Sequence, residues 1–300
     1  MIEVKNIIFA KNNLVSTRFL NCLINYLLPI RLKFKNESFV ILNDKQPFGV
    51  VTLDKDTTSN TRFKITKLIL EENSTTSLAV QLVNYVISRY RAMGATSFYI
   101  AVDEKEANLL NIFKNELNFR FCGLEYLFKV NFDISSSDGI ILKSFKNEYL
   151  KSICDFYNQN INSFNRMLFS REKYQFKNNF IKYVFYEEKE EKILGYFEVA
   201  TSNNFDYYVN FSIDCAYNIY LFDAIKFIYT KLKHKNKNFN LYVKVKDYFL
   251  NSKELIAILK ENKLELVSKS HVLAKDYYKE IKATDILNKA KIIFNDPTTA

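Results

Sequence analysis

Residues 62–102 read RFKITKLILEENSTTSLAVQLVNYVISRYRAMGATSFYIAV, with two short apolar stretches on either side of a longer amphipathic one. Apolar and polar residues alternate through Arg62–Leu70, which is typical of a strand. Apolar residues then recur at helical spacing through Leu78–Tyr90, and Gly94 follows as a helix-ending residue. Ser97–Val102 is rich in β-forming residues. This order of strand, helix and strand predicts a helical crossover within a mixed sheet.

The elements around this unit occur twice in the chain. A strand–turn–strand pattern at Ser38–Leu53, pivoting on Gly49, recurs at Lys182–Ala200, where it pivots on Gly195. The later elements follow in the same order, and the matched pairs are Arg62–Leu70 with Tyr207–Asp214, Leu78–Tyr90 with Tyr220–Leu232, Ser97–Val102 with Asn240–Val245, Glu106–Leu117 with Lys253–Asn262, and Phe121–Val130 with Leu264–Ala274. Each half is expected to close with strands of its own, a pair through Phe121–Val130 in the first half.

The repeat predicts two tandem domains. Small and polar residues at Asn131–Gly139 indicate a linker between them. We therefore predict an α+β fold with domains at residues 1–132 and 139–282, each a mixed, mainly antiparallel sheet flanked by helices. A helical, frayed tail is expected at residues 283–300.

The composition argues against several classes of protein. With 48% hydrophobic residues in a chain of 300, each domain can bury a core. The four Cys residues are far apart in the chain and there are two His residues, so neither a disulfide framework nor a zinc site is expected. The sequence contains no GxSxG, GxxxxGK[ST] or GxGxxG motif, which argues against α/β-hydrolases, P-loop NTPases and dinucleotide-dependent oxidoreductases.

Apolar runs and charge predict a soluble, cytoplasmic protein without a membrane partner. Ile7–Ala10 is bracketed by lysines and is too short for a signal peptide. The longest apolar tract, Phe19–Leu32, is interrupted by polar residues and falls short of the ~20 residues that span a bilayer. The net charge of +10 favours anionic partners. Because the lysines do not cluster on one segment, compositional bias explains the charge better than a nucleic-acid partner, an alternative that rests only on the charge and the Tyr and Phe content.

The order of hairpin, long strand, turn, helix, strand, helix and closing strands resembles the GNAT N-acetyltransferase superfamily. The resemblance covers most of the chain, twice. Ile140–Phe145, followed by a helix at Leu150–Asn160, resembles the opening of a second GNAT module, whereas Ile2–Phe9 is a weaker match in the first half. The resemblance implies that the protein binds acetyl-CoA and transfers its acetyl group to an amine of an acceptor that the sequence does not identify.

GNAT proteins carry a Gln/Arg-x-x-Gly-x-Gly/Ala turn between their fourth strand and the next helix, and this turn binds the pyrophosphate of acetyl-CoA. The matching residues here are Ser74, Thr75, Thr76, Ser77, Leu78 and Ala79. Only Ala79 fits the pattern, but a Ser/Thr-rich turn that enters a helix can still offer backbone N–H groups to phosphate. The alternative is ordinary N-capping, in which a hydroxyl occupies those N–H groups. The resemblance also implies that the pantetheine lies beside Leu68 and Leu70.

The corresponding turn of the second half is less suited to an anion. It reads DCAYNI over Asp214–Ile219, so an acidic and a bulky residue stand where the pyrophosphate would lie. The sequence therefore indicates that the second half is a degenerate module that serves as a scaffold or a substrate wall.

Acetyl transfer also needs a group that removes the proton of the amine. The resemblance places Glu71 at the end of the strand beside the acyl group, which makes it the candidate general base. The alternative is that Glu71 and Glu72 are solvated carboxylates near a helix N-terminus.

Many GNAT enzymes protonate the leaving thiolate with a tyrosine, and this tyrosine is missing here. Its place falls at Lys114 in the first half and at Leu259 in the second. Tyr99 and Tyr126, on strands expected to be neighbours, are candidate substitutes. The missing tyrosines and degenerate turns keep a second function open: a non-catalytic binding or interaction protein with the GNAT fold and no cofactor site.

Overall fold

The computed structural model describes residues 2–6, 36–43, 46–55, 61–71, 75–131, 142–177, 180–187, 191–201, 205–236 and 238–277. In this part of the chain, twelve strands form one continuous sheet. The strands are β1 (Ile2–Asn6), β2 (Asn36–Asn43), β3 (Gln46–Lys55), β4 (Arg62–Leu70), β5 (Ser97–Asp103), β6 (Arg120–Lys129), β7 (Lys143–Ser144), β8 (Ile181–Glu187), β9 (Lys192–Thr201), β10 (Asp206–Ile213), β11 (Asn240–Lys246) and β12 (Glu265–Asp276). Their order across the sheet is β1-β2-β3-β4-β5-β12-β6-β11-β10-β9-β8-β7.

Helices pack on both faces of the sheet. The α-helices of the described residues are α1 (Thr76–Ala92), α2 (Ala107–Asn111), α3 (Leu150–Gln159), α4 (Ser163–Phe169), α5 (Leu221–Lys233) and α6 (Ser252–Glu261). A π-helical turn, Ile112–Glu116, extends α2, and a 3₁₀ turn, Cys215–Tyr220, precedes α5. All strand pairs are antiparallel except β4–β5 and β10–β11, each of which is connected by a helical crossover. The predicted α+β class, with two copies of one element order and a mixed, mainly antiparallel sheet, is confirmed.

The two halves exchange their last strands. β6, from the first half, pairs with β11 of the second, and β12, from the second half, pairs with β5 of the first. β6 and β12 also pair with each other at the centre of the sheet. The expectation that each half closes with its own strands is therefore wrong, because each half supplies one strand of a pair that both halves share. The boundaries at residues 132–139 and the tail at 283–300 lie outside the described residues and stay predictions.

The prediction that two glycines form the turns of the hairpins is wrong. Gly49 and Gly195 lie inside β3 and β9, away from the turns. Both are closely surrounded by neighbouring side chains: a Cβ on Gly49 would lie 3.1 Å from Cδ2 of Leu70 on β4, and a Cβ on Gly195 would lie 3.1 Å from Cε2 of Phe197 on the same strand. These glycines therefore mark tight packing within the sheet, not a turn.

Alternation along the strands divides the core between the two faces. Phe63 and Ile65 of β4 point to the same side as Phe98 and Ile100 of β5, and this side packs against α1. The intervening residues face the opposite side, where α3 and α4 of the second half cover the centre of the sheet. The side chains of one β-strand therefore contribute to two different environments.

Polar contacts fasten the first half to the second. Nη1 of Arg62 on β4 donates to the carbonyl oxygens of Leu168 at 2.8 Å and Ser170 at 3.1 Å, at the C-terminal end of α4. Nε of Arg120 on β6 lies 2.8 Å from Oδ2 of Asp276 on β12. The hydroxyl of Ser97 on β5 donates to the other oxygen of the same carboxylate. Asp276 thus joins the two shared strands to β5.

Candidate functional site

The first candidate site is a gap between the parallel strands β4 and β5. The two strands pair only over Arg62–Ile65 and Ser97–Ile100, whereas β3 stays paired with β4 as far as Leu70. In the described part of the chain, no strand pairs with Thr66–Leu70 on the side of β5. Such an edge carries backbone N–H and C=O groups with which an extended ligand can pair. We call this gap the β4–β5 opening.

A β-bulge lies where the opening begins. The β3–β4 register shifts between Thr52 and Leu53, which leaves Thr66 without a partner position on β3. The hydroxyl of Thr66 donates to the carbonyl oxygen of Thr52 at 3.3 Å. Because a bulge bends and twists its strand, this local insertion accounts for the divergence of β4 from β5 after Ile65.

The β4–β5 opening ends at the N-terminus of α1. Thr75 is the N-cap residue, but its side chain makes no capping hydrogen bond, and the first turn contains no acidic residue. The carbonyl oxygen of Thr75 accepts from the N–H of Leu78 at 3.0 Å. Among the described residues, no group accepts a hydrogen bond from the N–H of Thr76 or Ser77. As far as the described residues go, two donors at the positive end of a 17-residue helix are left for an anion.

The second half has a similar gap with a different ending. β10 and β11 pair over Asp206–Asn210 and Asn240–Lys244 and then separate. The carboxylate of Asp214 caps the following 3₁₀ turn by accepting from the N–H of Ala216 at 3.0 Å. It also lies 3.4 Å from Nζ of Lys192. A carboxylate thus already occupies the place that an anionic ligand would need.

The sequence-predicted cofactor residues of the first half fall into two groups. Leu68, Leu70 and Leu78 are half-buried and pack against the core beside α1, and Ala79 is fully buried. Thr75, Thr76 and Ser77 are exposed at the start of the helix. Ser74 lies outside the described residues. The structure therefore brings the exposed hydroxyl residues to the end of the opening, while Ala79 anchors the helix below them.

Glu71, the predicted base, follows β4 directly at the wide end of the opening. Its backbone N–H donates to the carbonyl oxygen of Phe48 at 3.0 Å, which continues the β3–β4 pairing by one residue. Its side chain is exposed. Glu72 lies outside the described residues.

The positions assigned to the missing tyrosine contain different groups. Nζ of Lys114 lies 3.1 Å from Nδ1 of His271 on β12, so a residue of the second half contacts this position of the first. Partial burial, together with the Lys114 ammonium, lowers the pKa of His271, which favours the neutral ring that accepts this hydrogen bond. Leu259 is a fully buried core residue of α6. Tyr99 and Tyr126 are not on neighbouring strands, because β12 lies between β5 and β6.

A second candidate site is a cavity of about 390 Å³ on the face of the sheet opposite α1. Six charged residues line it: Lys64, Glu125, Arg171, Glu198, Lys244 and Lys246. Residues of both halves form its wall, and Tyr157, Phe169 and Tyr248 contribute aromatic surface. We call it the central cavity. Sequence reasoning missed it, although charged residues alternate with apolar ones in the LYVKVK stretch of β11.

The described residues were also compared with the patterns of metal sites and membrane-spanning helices. They contain no group of three or more His, Cys, Asp and Glu residues placed to hold a metal ion. None of their helices is both long and apolar enough to cross a membrane.

Known structures resemble the whole architecture. A tandem GNAT protein from the clavulanic acid biosynthesis pathway superposes with a TM-score of 0.59 at 10% identity and covers 93% of this chain and 100% of its own. A GCN5-related N-acetyltransferase from Sphaerobacter thermophilus gives 0.55 at 8% identity, with 80% of each chain covered. A GNAT-family acetyltransferase from Colwellia psychrerythraea gives 0.51 at 11% identity and covers 91% of this chain and 99% of its own.

Neither a protein-family model nor a curated protein matches the sequence. At identities this low, the structural likeness shows the fold alone. The chain has the tandem GNAT fold, as its sequence predicted.

Proposed function

We propose that this chain, with its tandem GNAT fold, is an acyl-CoA-dependent N-acyltransferase that binds acetyl-CoA in its first half and acetylates an amine. The observation that carries the proposal is the difference between the two helix N-termini. In the first half, the N–H groups of Thr76 and Ser77 lie at the end of the β4–β5 opening and have no acceptor among the described residues. In the second half, the carboxylate of Asp214 occupies the equivalent position.

Acetyl-CoA fits this arrangement through its pyrophosphate and its pantetheine. The pyrophosphate would accept hydrogen bonds from the N–H groups of Thr76 and Ser77, and the exposed hydroxyls of the same turn are further donors. The pantetheine carries amides that can pair with the open backbone edge of Thr66–Leu70. The two contacts together would place the thioester within the opening.

The reaction joins the acceptor nitrogen to the acetyl carbon and breaks the C–S bond of the thioester. CoA leaves as a thiolate, and the proton lost by the amine passes to a base. We assign this base to Glu71, whose exposed carboxylate follows the strand that borders the thioester. A general base of this kind contributes about 10² to 10⁴-fold to the rate.

The second candidate function is a non-catalytic binding protein with the GNAT fold. It is favoured by Leu259, a buried core residue, and by Lys114, which contacts His271 in the place of the tyrosine. Such a protein would have no acetyl-CoA site and would release no free CoA in the presence of amines.

Calorimetric titration of the full chain with acetyl-CoA tests the proposal, with CoA and ATP as controls. We expect one binding site per chain for acetyl-CoA, retained for CoA and absent for ATP. A thiol-release assay with a panel of primary amines then separates the two functions. Absence of binding would refute the cofactor assignment and favour the non-catalytic function, whereas binding without thiol release from any amine would refute acylation of the amines tested.

A further inference from the structure

The central cavity carries more positive than negative charge. Its lining contains four cations, Lys64, Arg171, Lys244 and Lys246, and two carboxylates, Glu125 and Glu198. Nη1 of Arg171 lies 3.0 Å from Oε2 of Glu198, and Nζ of Lys244 lies 3.2 Å from Oε2 of Glu125. These two ion pairs leave two lysines in excess.

The two lysines in excess are not in direct ion pairs with the carboxylates that the structure describes, although Glu125 attracts both. Among the described residues, neither Lys64 nor Lys246 forms an ion pair. Burial, together with Lys244 and Lys246, lowers the pKa of Lys64 although Glu125 acts in the opposite direction. Ammonium groups held in such a site are costly unless an opposite charge joins them.

The two carboxylates of the cavity do not balance its four cations. Burial alone would raise the pKa of Glu125, but Lys244, Lys246 and Lys64 together hold it at about 2. Glu125 is therefore ionised at neutral pH, and its oxygens accept from Tyr248 at 3.0 Å and from Lys244. Glu198 is buried against Arg171. Both carboxylates of the cavity are therefore already in ion pairs with cations of the protein.

The aromatic residues that line the cavity suit the carbon skeleton of a small organic molecule. The ring of Tyr157 lies 4.8 Å from the guanidinium carbon of Arg171, and the rings of Phe169 and Tyr248 stack with centroids 4.2 Å apart. The cavity volume of about 390 Å³ falls within the range of small-molecule sites.

We propose that the central cavity binds a small organic molecule with two negative charges, either a dicarboxylate or a phosphate monoester. The two charges would pair with Lys64 on β4 and Lys246 on β11, one residue from each half. The ligand would thus bridge the two halves across the shared strands, at a site separate from the helix N-terminus proposed for acetyl-CoA.

Calorimetric titration of the full chain at low ionic strength, with no acyl-CoA present, tests the proposal. The probes are succinate, inorganic phosphate and, as a singly charged reference, acetate. We expect succinate or phosphate to bind at one site per chain at least about 10-fold more tightly than acetate, because the second charge gains a charge-assisted hydrogen bond. Tighter binding of succinate identifies the dicarboxylate, and tighter binding of phosphate identifies the phosphate monoester. Absence of binding, or equal affinity for acetate, overturns the proposal.

Substitutions test whether the ligand binds in the central cavity. Lys64→Met and Lys246→Met should each weaken binding of the better dianion by about 10-fold or more. Lys260→Met, on the exposed surface of α6, makes the same charge change elsewhere and should leave the affinity unchanged. Thermal melting checks that each variant is folded, and either lysine variant alone suffices for the test. A change below threefold in a folded variant overturns the assignment. Since acetyl-CoA takes no part, such a failure leaves the proposed transferase function untouched.

Discussion

Replacing Ser77 with Asp gives the sharpest test of the acetyl-CoA site. Ser77 is exposed in the first turn of α1, where no acidic residue is present. A carboxylate there would lie beside the free N–H groups that we assign to the pyrophosphate. It would also interact favourably with the helix dipole, which stabilises a protein by about 0.3–1 kcal/mol. The substitution should therefore raise thermal stability and weaken cofactor binding, two effects of opposite sign.

The expected loss of affinity follows from Coulomb's law. A carboxylate ~5 Å from each of two pyrophosphate charges, with the dielectric constant of water, costs about 0.8 kcal/mol per pair, or about 1.7 kcal/mol in all. This corresponds to an increase of about 15-fold in Kd. The titration should be done at low salt, because at 0.15 M the screening length is only about 8 Å.

Ser88→Asp is the matched control for this substitution. It makes the same chemical change on an exposed position of the same helix, about 16 Å further along the axis. We expect its acetyl-CoA affinity to equal that of the wild type. If Ser77→Asp also binds acetyl-CoA with unchanged Kd, the pyrophosphate does not lie at this helix N-terminus and the assignment is refuted. Ser77 is a better position for the added charge than Ala79 in the same turn, because Ala79 is fully buried and a charge there would disrupt the core.

Three further predictions concern the base, the central charges and the shared strands. Glu71→Gln should keep the acetyl-CoA affinity and reduce thiol release by about 100-fold or more, whereas equal rates would leave Glu71 a solvated carboxylate. The pKa of Glu125, about 2 in the folded protein against an ordinary 4.5, means that its ionised form stabilises the fold above pH 4.5. This stabilisation is lost as the pH falls from 4.5 towards 2. The unfolding free energy of Glu125→Gln, measured by urea titration, should therefore decrease less over this pH range than that of the wild type. An equal decrease in both proteins would contradict the pKa assignment. Residues 1–132 alone should not fold, because they lack β12 between β5 and β6; a cooperative melt of a monomeric fragment by circular dichroism would contradict this.

The sequence pattern predicts the element order well because periodicity reports which faces are buried. The alternation of Arg62–Leu70 and the helical spacing of Leu78–Tyr90 correspond to β4 and α1. The pattern could not predict the strand exchange. β6 and β12 are copies of one element, so local sequence does not determine whether each pairs within its own half or with the other. The misplaced hairpin glycines have a similar cause, since close packing and a turn both select glycine.

The candidate site was less predictable than the fold, because its properties depend on hydrogen bonds that composition does not determine. Thr75 and Asp214 are both acceptable N-cap residues by type. Only the structure shows that the side chain of Asp214 caps its turn while that of Thr75 does not. The sequence shows the charged residues of the central cavity, but not that they lie close together. They do so because the strand exchange brings β4, β6 and β11 into one sheet. Without the shared strands, Lys64 and Lys246 would belong to separate domains.

The shared strands also explain why the second half is required by the fold although the acetyl-CoA site is proposed only in the first. It supplies β12, which completes the sheet beside β5, and α4, whose end is held by Arg62. It supplies four of the six charged residues of the central cavity, Arg171, Glu198, Lys244 and Lys246. In the second half, Asp214 caps the turn and the ring of Tyr217 packs edge-on against Phe185. Contacts within the protein therefore occupy the turn that corresponds to the proposed pyrophosphate site of the first half. Changes that close this second opening are therefore compatible with the fold, whereas changes to β12 would affect both halves at once.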